Sequence, residues 1–500
     1  MNNKIVLVGF YNEKALGVRY LANALTKHGF DPTIVFFKRF NSEVPEETTE
    51  REVELLRELV ETTDPLFVGL SVMSSLYLSE SGKVNEMLRK NFDFPVVWGG
   101  VYATLEPERS ARQCDIVMRG EGEFSIVKLA QAIQSGSDLR GIEGAAYIDS
   151  SGSYVQNDVG DLVEDIDAYG FPIIGGDNMY LIHDDKIIPG DPQLRAFSYE
   201  LSCSRGCPFQ CTYCSAVCLR RVYAGKPGKY VRFRSVDSVM DELLEAKRKI
   251  PRLRLVHFWD EIFSNEDGWV DEFTRRYKAE IGLPFRIWGH PLMTNDDIIS
   301  KLVDAGLHQV VMGIQSGSPT VRTESFHRYE SQERIIEASR VLSRQKVPEV
   351  YYDLMICHPF ESLDQLKETF DMCLELEPPF HLNIHGLNFL PATDIVKMAL
   401  DQGMYTEEEM ENLMYGTLQE QYDRHWGPHA SSFKNASAKN SWSDLIYLTQ
   451  FPSIRDKVIE LAKDAQGNAE KIVALKNRMA KKKRFDYYVE RIKLVLKISK

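Results

Sequence analysis

Three cysteines fall within eight residues: Cys207, Cys211 and Cys214, with three and then two residues between them. They follow an apolar run that reads as a strand. Thiolates this close in sequence gather on one metal or cluster at little loop-closure cost. Iron–sulfur clusters are held by such runs, normally with four cysteines per cubane, so three would leave one iron open to a non-protein ligand. Structural zinc is the competing reading, since it takes four ligands that Cys203 or Cys218 would complete. A purely structural group of thiols is the third.

Further candidates lie just past other apolar runs. Asp260 and Glu261 follow 253–259, His290 follows 285–288, and Gln315, Ser316 and Gly317 follow 309–314. His358 follows 350–356, and the last run, 381–389, ends near Asn388. With 196–201 these make six strand-like runs, separated by amphipathic segments such as 236–249, 296–305 and 332–345. Six β–α repeats predict an incomplete parallel barrel, whose chemistry belongs at the carboxyl ends of the strands. Neither histidine shows a metal-ligand pairing partner in sequence, and a hydrogen-bonding role is the simpler reading for both.

The first 140 residues repeat the alternation on a different plan. Apolar runs at 4–9, 33–37, 66–73, 95–98 and 115–118 alternate with helical segments such as 16–28 and 46–62. This predicts an α/β, doubly wound parallel sheet, with ligands beyond the carboxyl ends of its strands, near Asn12 to Gly17, Ser71, Ser74, Gly99 and Gly100. Residues 141–194 read as a connector with one hairpin, 145–148 against 154–156. The division is therefore 1–140, 141–194, 195–400 for the partial barrel, and a helical region from 401 to 500.

Cys207-Pro-Phe-Gln-Cys211-Thr-Tyr213-Cys214, with Ser204-Arg205-Gly206 before it and Ser215 after it, resembles the cluster loop of the radical SAM superfamily. The flanks, and Trp98-Gly99-Gly100-Val101-Tyr102-Ala103-Thr104 with Arg119-Gly120-Glu121-Gly122-Glu123, resemble its cobalamin-binding branch. The resemblance implies a 4Fe–4S cluster on the three cysteines, S-adenosylmethionine on the open iron, and cobalamin on the first domain. By the same resemblance Tyr213 is the aromatic before the last cysteine. The acids of Phe258-Trp259-Asp260-Glu261 would meet the methionine amino group. Gln315 and Ser316 stand in the segment that meets the ribose and carboxylate, with glutamine where glutamate is usual. Asp353 to Pro359 would border the adenine, with Cys357 and His358 in place of small residues. Arg328 would pair with a substrate carboxylate, and Ser71, Gly99 and Gly100 would meet the corrin. The Asp-x-His-x-x-Gly of cobalt-ligating domains reads Asn12-Glu13-Lys14-Ala15-Leu16-Gly17 here, so Lys14 replaces the axial histidine. Without that histidine, a docking lobe that binds no corrin is the alternative reading of the first domain.

The totals bound the rest. The chain has 500 residues, 43% hydrophobic and 27% charged, with a net charge of -13. That balance argues against non-specific nucleic-acid binding. No apolar run is long enough to span a membrane, and five of eight cysteines crowd between Cys203 and Cys218, so a reducing cytoplasm is expected. The expected activity is reductive cleavage of S-adenosylmethionine, used for cobalamin-dependent C-methylation of a small metabolite or natural-product intermediate. The partners expected are that substrate and an electron donor such as flavodoxin or ferredoxin. The alternatives are a radical oxidative cyclase or rearrangement enzyme without methyl transfer, and a non-catalytic iron–sulfur or zinc-binding protein. The basic stretch 471–500, with Lys481-Lys482-Lys483-Arg484, reads as a solvated helix face, or less simply as a docking surface for an acidic partner.

Overall fold

A computed structural model describes residues 2–41, 44–263, 266–426 and 436–498. The chain packs as two compact units, one of residues 1–289, 297–309 and 388–423, the other of 290–296, 310–387 and 424–500.

Nine strands of the first unit form one sheet: β1 (Lys4–Phe10), β2 (Asp31–Phe37), β3 (Val68–Ser71), β4 (Val96–Gly99), β5 (Ile116–Met118), β6 (Ala145–Ile148), β7 (Tyr154–Gln156), β8 (Met179–His183) and β9 (Lys186–Pro189). Their order is β7-β6-β5-β4-β3-β1-β2-β8-β9. The central strands are parallel, as the alternation of strands and helices requires. Both faces are covered, so β1 reads as a continuous apolar run with six of its seven residues buried. The chain reverses direction between β1 and β3, the switch point at which doubly wound sheets open a crevice. The register sets Gly9, Ser71 and Gly99 in one row across β1, β3 and β4, at the mouth of that crevice.

Residues 141–194 are more than a connector. The expected hairpin β6–β7 is present, but it extends the sheet beyond β5 in antiparallel fashion, and β8–β9 extends the other edge beside β2. These hairpins cover the edges that a five-stranded parallel sheet would leave unpaired. The strands of β8–β9, five and four residues long, are too short to show a period.

The second half alternates β10 (Ser198–Leu201), β13 (Leu255–Phe258), β14 (Phe285–Gly289), β15 (Leu307–Gln315), β16 (Glu349–Met355) and β17 (His381–His385) with helices, as the partial (β/α)6 pattern predicts. In the first unit β10 pairs with β13 and β13 with β14, all parallel. In the second unit β16 pairs with β17 in parallel. Two short strands, β11 (Ser204–Arg205) and β12 (Arg232–Phe233), form an antiparallel clasp around the cysteine loop. The helix Val236–Lys249 starts at Ser235, whose hydroxyl accepts the Ser238 N–H. It buries Glu242, which takes a hydrogen bond from the Tyr199 hydroxyl at 2.7 Å and an ion pair from Arg234.

The region beyond 401 is helical as expected, at 407–415, 418–426, 436–448, 455–462 and 469–498. It serves both units. Leu418 and Tyr422 complete the core of the nine-stranded sheet, and the Tyr422 hydroxyl donates to the Asn41 carbonyl at 2.7 Å. In the second unit the helix 436–448 packs on Leu363–Glu375, with the Phe370 and Trp442 rings edge to face at 5.3 Å. Among the described residues no helix is long and apolar enough to cross a membrane.

Candidate functional site

The cysteine loop is anchored at both ends. Gly206 enters it at φ +90, and a side chain there would come within 2.5 Å of the Tyr230 carbonyl. At the exit, the Cys214 N–H donates to the Cys211 carbonyl at 3.1 Å, and Cys214 caps the helix Ser215–Val222. A helix N-terminus favours a thiolate over a thiol. Tyr213 is half-buried between the last two cysteines. The segment past the barrel latches the loop from outside: Ile395 N–H donates to the Thr212 carbonyl, and Arg221 forks onto Asp394 at 2.5 and 2.6 Å.

Burial pushes the Cys207 thiol up to about 11 and Cys214 up to about 12, with Glu261 and the neighbouring cysteines adding to the effect. The two spare cysteines are committed elsewhere. Cys203 is fully buried under Asp260 and Arg234, and Cys218 donates to the Ala392 carbonyl at 3.1 Å. Among the described residues no four-thiol zinc site is assembled. Three thiols without a fourth fit a cubane with one open iron.

The two adjacent acids part company. Asp260 is buried, accepts from the Ser204 hydroxyl at 2.5 Å, leaves its second oxygen unpartnered, and is pushed up to about 7 by burial. Glu261 stays accessible in a concave mouth whose crowding walls raise its carboxyl. That mouth belongs to a cavity of about 350 Å³ within the first unit. Leu16, Gly17, Met73, Gly100 and Gly120 line one side, all past the ends of β1, β3, β4 and β5; Gly206, Tyr230, Trp259 and Glu261 line the other. Gly17 leaves open space where a side chain would stand, and Met73 and Trp259 expose apolar surface. These strand-end residues fit a flat, largely apolar cofactor edge. Among the described residues, no imidazole lines this cavity.

Lys14 points elsewhere. Its ammonium donates to Glu200 at 2.5 Å and to the Ser198 hydroxyl at 3.1 Å, both on β10. Burial opposes charge on Glu200, yet His257 and Lys14 together hold its carboxyl below the usual range. The loop itself is folded by Asn12, whose side-chain oxygen accepts the N–H groups of Lys14 and Ala15. The lysine in the histidine's place thus ties the first sheet to the strand that carries the cysteines.

The acids of Arg119-Gly120-Glu121-Gly122-Glu123 do the same work, which the sequence reading did not see. Glu121 pairs with Arg232, and Glu123 pairs with Arg205, so both clasp strands are bolted to the loop past β5. Burial raises Glu121, but Arg232 and Arg205 outweigh it and hold the carboxyl low. The signal was present as two glutamates in one segment and two arginines flanking the cysteines. Only their partnership was hidden.

In the second unit, Gln315 ends β15 at φ +72, a left-handed conformation uncommon for a residue with a side chain. Ser316 is fully buried, its hydroxyl taken by the Ser318 N–H at 3.1 Å and its carbonyl by Arg322 at 2.9 Å. Arg328 is buried against Glu330 at 2.6 Å and donates to the Gly313 carbonyl at 2.7 Å. Its charge is therefore already matched by a protein carboxylate. His290 caps a turn by accepting the Leu292 N–H, and burial drives it down to about 3. His358 is buried with neither ring nitrogen hydrogen-bonded, and is likewise lowered to about 3. The His385 and His425 rings, which no motif marked, stack at 5.0 Å.

Residues 201–373 match the family model of the radical SAM superfamily, and residues 4–130 match that of the B12 binding domain. The chain carries a radical SAM domain and a B12-binding domain. The radical SAM segment begins at β10 and contains the cysteine loop, Glu261 and Ser316. The family implies a 4Fe–4S cluster, S-adenosylmethionine and cobalamin as cofactors. A similar sequence is an uncharacterized methyltransferase, PH0819, of Pyrococcus horikoshii, 27% identical over 53% of this chain and 55% of that one. Another is the anaerobic magnesium-protoporphyrin IX monomethyl ester cyclase of Rubrivivax gelatinosus, 22% identical over 72% of this chain and 62% of that one. The chain thus spans about half to three-fifths of these curated relatives. The radical SAM methyltransferase TsrM of Kitasatospora setae, solved with tryptophan and an S-adenosylmethionine analogue, shares the fold. Its TM-score is 0.63 at 18% identity, over 80% of this chain and 76% of that one.

Proposed function

We propose that this protein cleaves S-adenosylmethionine reductively and methylates a carbon of a small metabolite or natural-product intermediate with the help of a corrin. One observation carries the reading: a single cavity is walled on one side by the strand ends of the B12-binding sheet and on the other by Gly206 and Ala216, which flank the cysteine loop, and by Glu261.

Cys207, Cys211 and Cys214 would hold the cluster, which supplies the electron that splits the carbon–sulfur bond. The chain's own groups bind and orient. The Glu261 carboxylate is the accessible acid beside the thiols and suits the methionine ammonium; such a charge-assisted contact is worth about 1.5–3 kcal/mol. Asp260 holds Ser204, at the root of the loop. Gly17, Met73, Gly100 and Trp259 would give the corrin an apolar seat, and Ser71 and Gly99, in the row of strand ends, are the further residues that would hold it. In the second unit Gln315, Ser316 and Arg328 belong to one packed turn after β15, held by the Ser316 hydroxyl and by the Arg322 and Arg328 guanidinium groups.

Oxidative cyclisation is the second reading, favoured by the cyclase among the relatives. Metal and corrin analysis after anaerobic purification from cobalamin-supplied cells separates the cases. Near four irons and one corrin per chain is the expected result; four irons with no corrin would exclude methylation through cobalamin. Cys211→Ala should abolish both cluster and cleavage, whereas Cys218→Ala should retain both.

A further inference from the structure

Residues 215–235 carry six cations (Arg220, Arg221, Lys226, Lys229, Arg232 and Arg234) and no carboxylate. The whole chain has 73 acidic and 60 basic side chains. A run of one sign against the prevailing charge calls for a physical reason. Two of the six are spent internally, Arg232 on Glu121 and Arg234 on Glu242. The other four stand at the surface of the helix Ser215–Val222 and the loop after it.

This basic face backs directly onto the cysteine loop. The Arg220 guanidinium donates to the Pro208 carbonyl, inside the cysteine loop, at 3.4 Å. Between the cations is a hollow of about 250 Å³, floored by Tyr223 and Tyr230, whose rings lie 6.4 Å apart. Nearby acids partly offset the charge: Asp394 forks onto Arg221, the exposed Asp158 stands 3.9 Å from Lys226, and the exposed Glu164 lies beside Gly228.

We infer that this face is the docking surface for an acidic, low-potential one-electron donor protein. The inference rests on the cluster assignment above. In the transfer, the docked donor is oxidised by one electron and the cluster is reduced by one, with no bond made or broken. Opposed charge steers such encounters and raises association rates by 10- to 1,000-fold at low salt. A small inorganic reductant needs no such surface.

Reduced flavodoxin is the probe. Mixed anaerobically with the reconstituted protein, it should bleach the cluster's visible absorbance at a rate that falls with added salt. In Lys226→Glu/Lys229→Glu that rate should drop about tenfold at low salt and lose most of its salt dependence. Lys226→Gln/Lys229→Gln should fall between. Dithionite should reduce all three proteins equally and drive equal cleavage of S-adenosylmethionine. Equal flavodoxin rates in all three would overturn the docking assignment, as would a matching loss with dithionite. A second readout needs no cluster: oxidised flavodoxin should bind the unreconstituted wild-type protein and not the Glu variant. Unchanged binding there would overturn the inference even if the cluster reading itself had failed.

Discussion

Asp260 and Glu261 are neighbours in sequence with opposite surroundings, and the difference sets what each does. Asp260 has a folded-state value near 7 against an ordinary 3.8, because burial disfavours its charge. A raised carboxyl makes the folded state bind the proton more tightly. Its contribution to stability is full below pH 3.8 and is lost as pH rises towards 7. Wild type should therefore lose stability relative to Asp260→Asn by at most about 1.4 kcal/mol per pH unit across that window, read from denaturation midpoints of the two proteins. A flat difference would mean that Asp260 is ionised throughout. Glu261→Gln should instead leave stability nearly unchanged and weaken S-adenosylmethionine binding about tenfold or more, measured by calorimetry on the reconstituted protein. Both acids were visible in the sequence as a pair. Which one faces the cavity depends on where the Ser204 hydroxyl lies, 56 residues away.

At the scale of elements, helices and strands were legible wherever a face is buried. The helices Val236–Lys249 and Asp296–Ala305 occupy the spans that their apolar spacing predicts. The clasp β11–β12 and the edge hairpin β8–β9 were not, since two- to five-residue strands carry too few turns of any period. Glycine marks where elements meet most closely. At Gly317, just past β15, a Cβ would stand 2.3 Å from the Thr369 Cα on the helix Leu363–Glu375, and the Gly317 N–H donates to the Thr369 hydroxyl at 2.9 Å. Gly317→Ala should therefore cost about 1–3 kcal/mol, seen as a lower denaturant midpoint. An unchanged midpoint would show that this helix can back away freely. Gln315, two residues earlier, holds a left-handed backbone without glycine's freedom, which places strain at a predicted cofactor-facing turn.

For the whole molecule, residues far apart in sequence share one core: the helix Leu418–Trp426 reaches back to the first strands. Tyr422 is 3% exposed and packs with residues of β1, β3 and β4. Tyr422→Ala should cost about 3–5 kcal/mol, by analogy with large-to-small aromatic truncations. Because the chain has two compact units, the loss is best followed locally. Hydrogen exchange should speed up in β1 and β3 while β16 and β17 keep their protection. Uniform deprotection of all four strands would show instead that the units unfold together.

The sequence by itself determined the strands with buried faces, the alternation that makes the first sheet doubly wound, and the three-cysteine loop with its unusual spacing. These depend on local periodicity and on residues a few positions apart. Only the tertiary structure decided the pairings across long separations. Lys14 meets Glu200, Glu121 and Glu123 meet the arginines of the clasp, and the Cys218 thiol meets the Ala392 carbonyl. A charge or a thiol carries no mark of its partner in a one-dimensional chain. Its partner is fixed when burial removes water and leaves the nearest opposite charge, or the nearest carbonyl, as the remaining way to satisfy it.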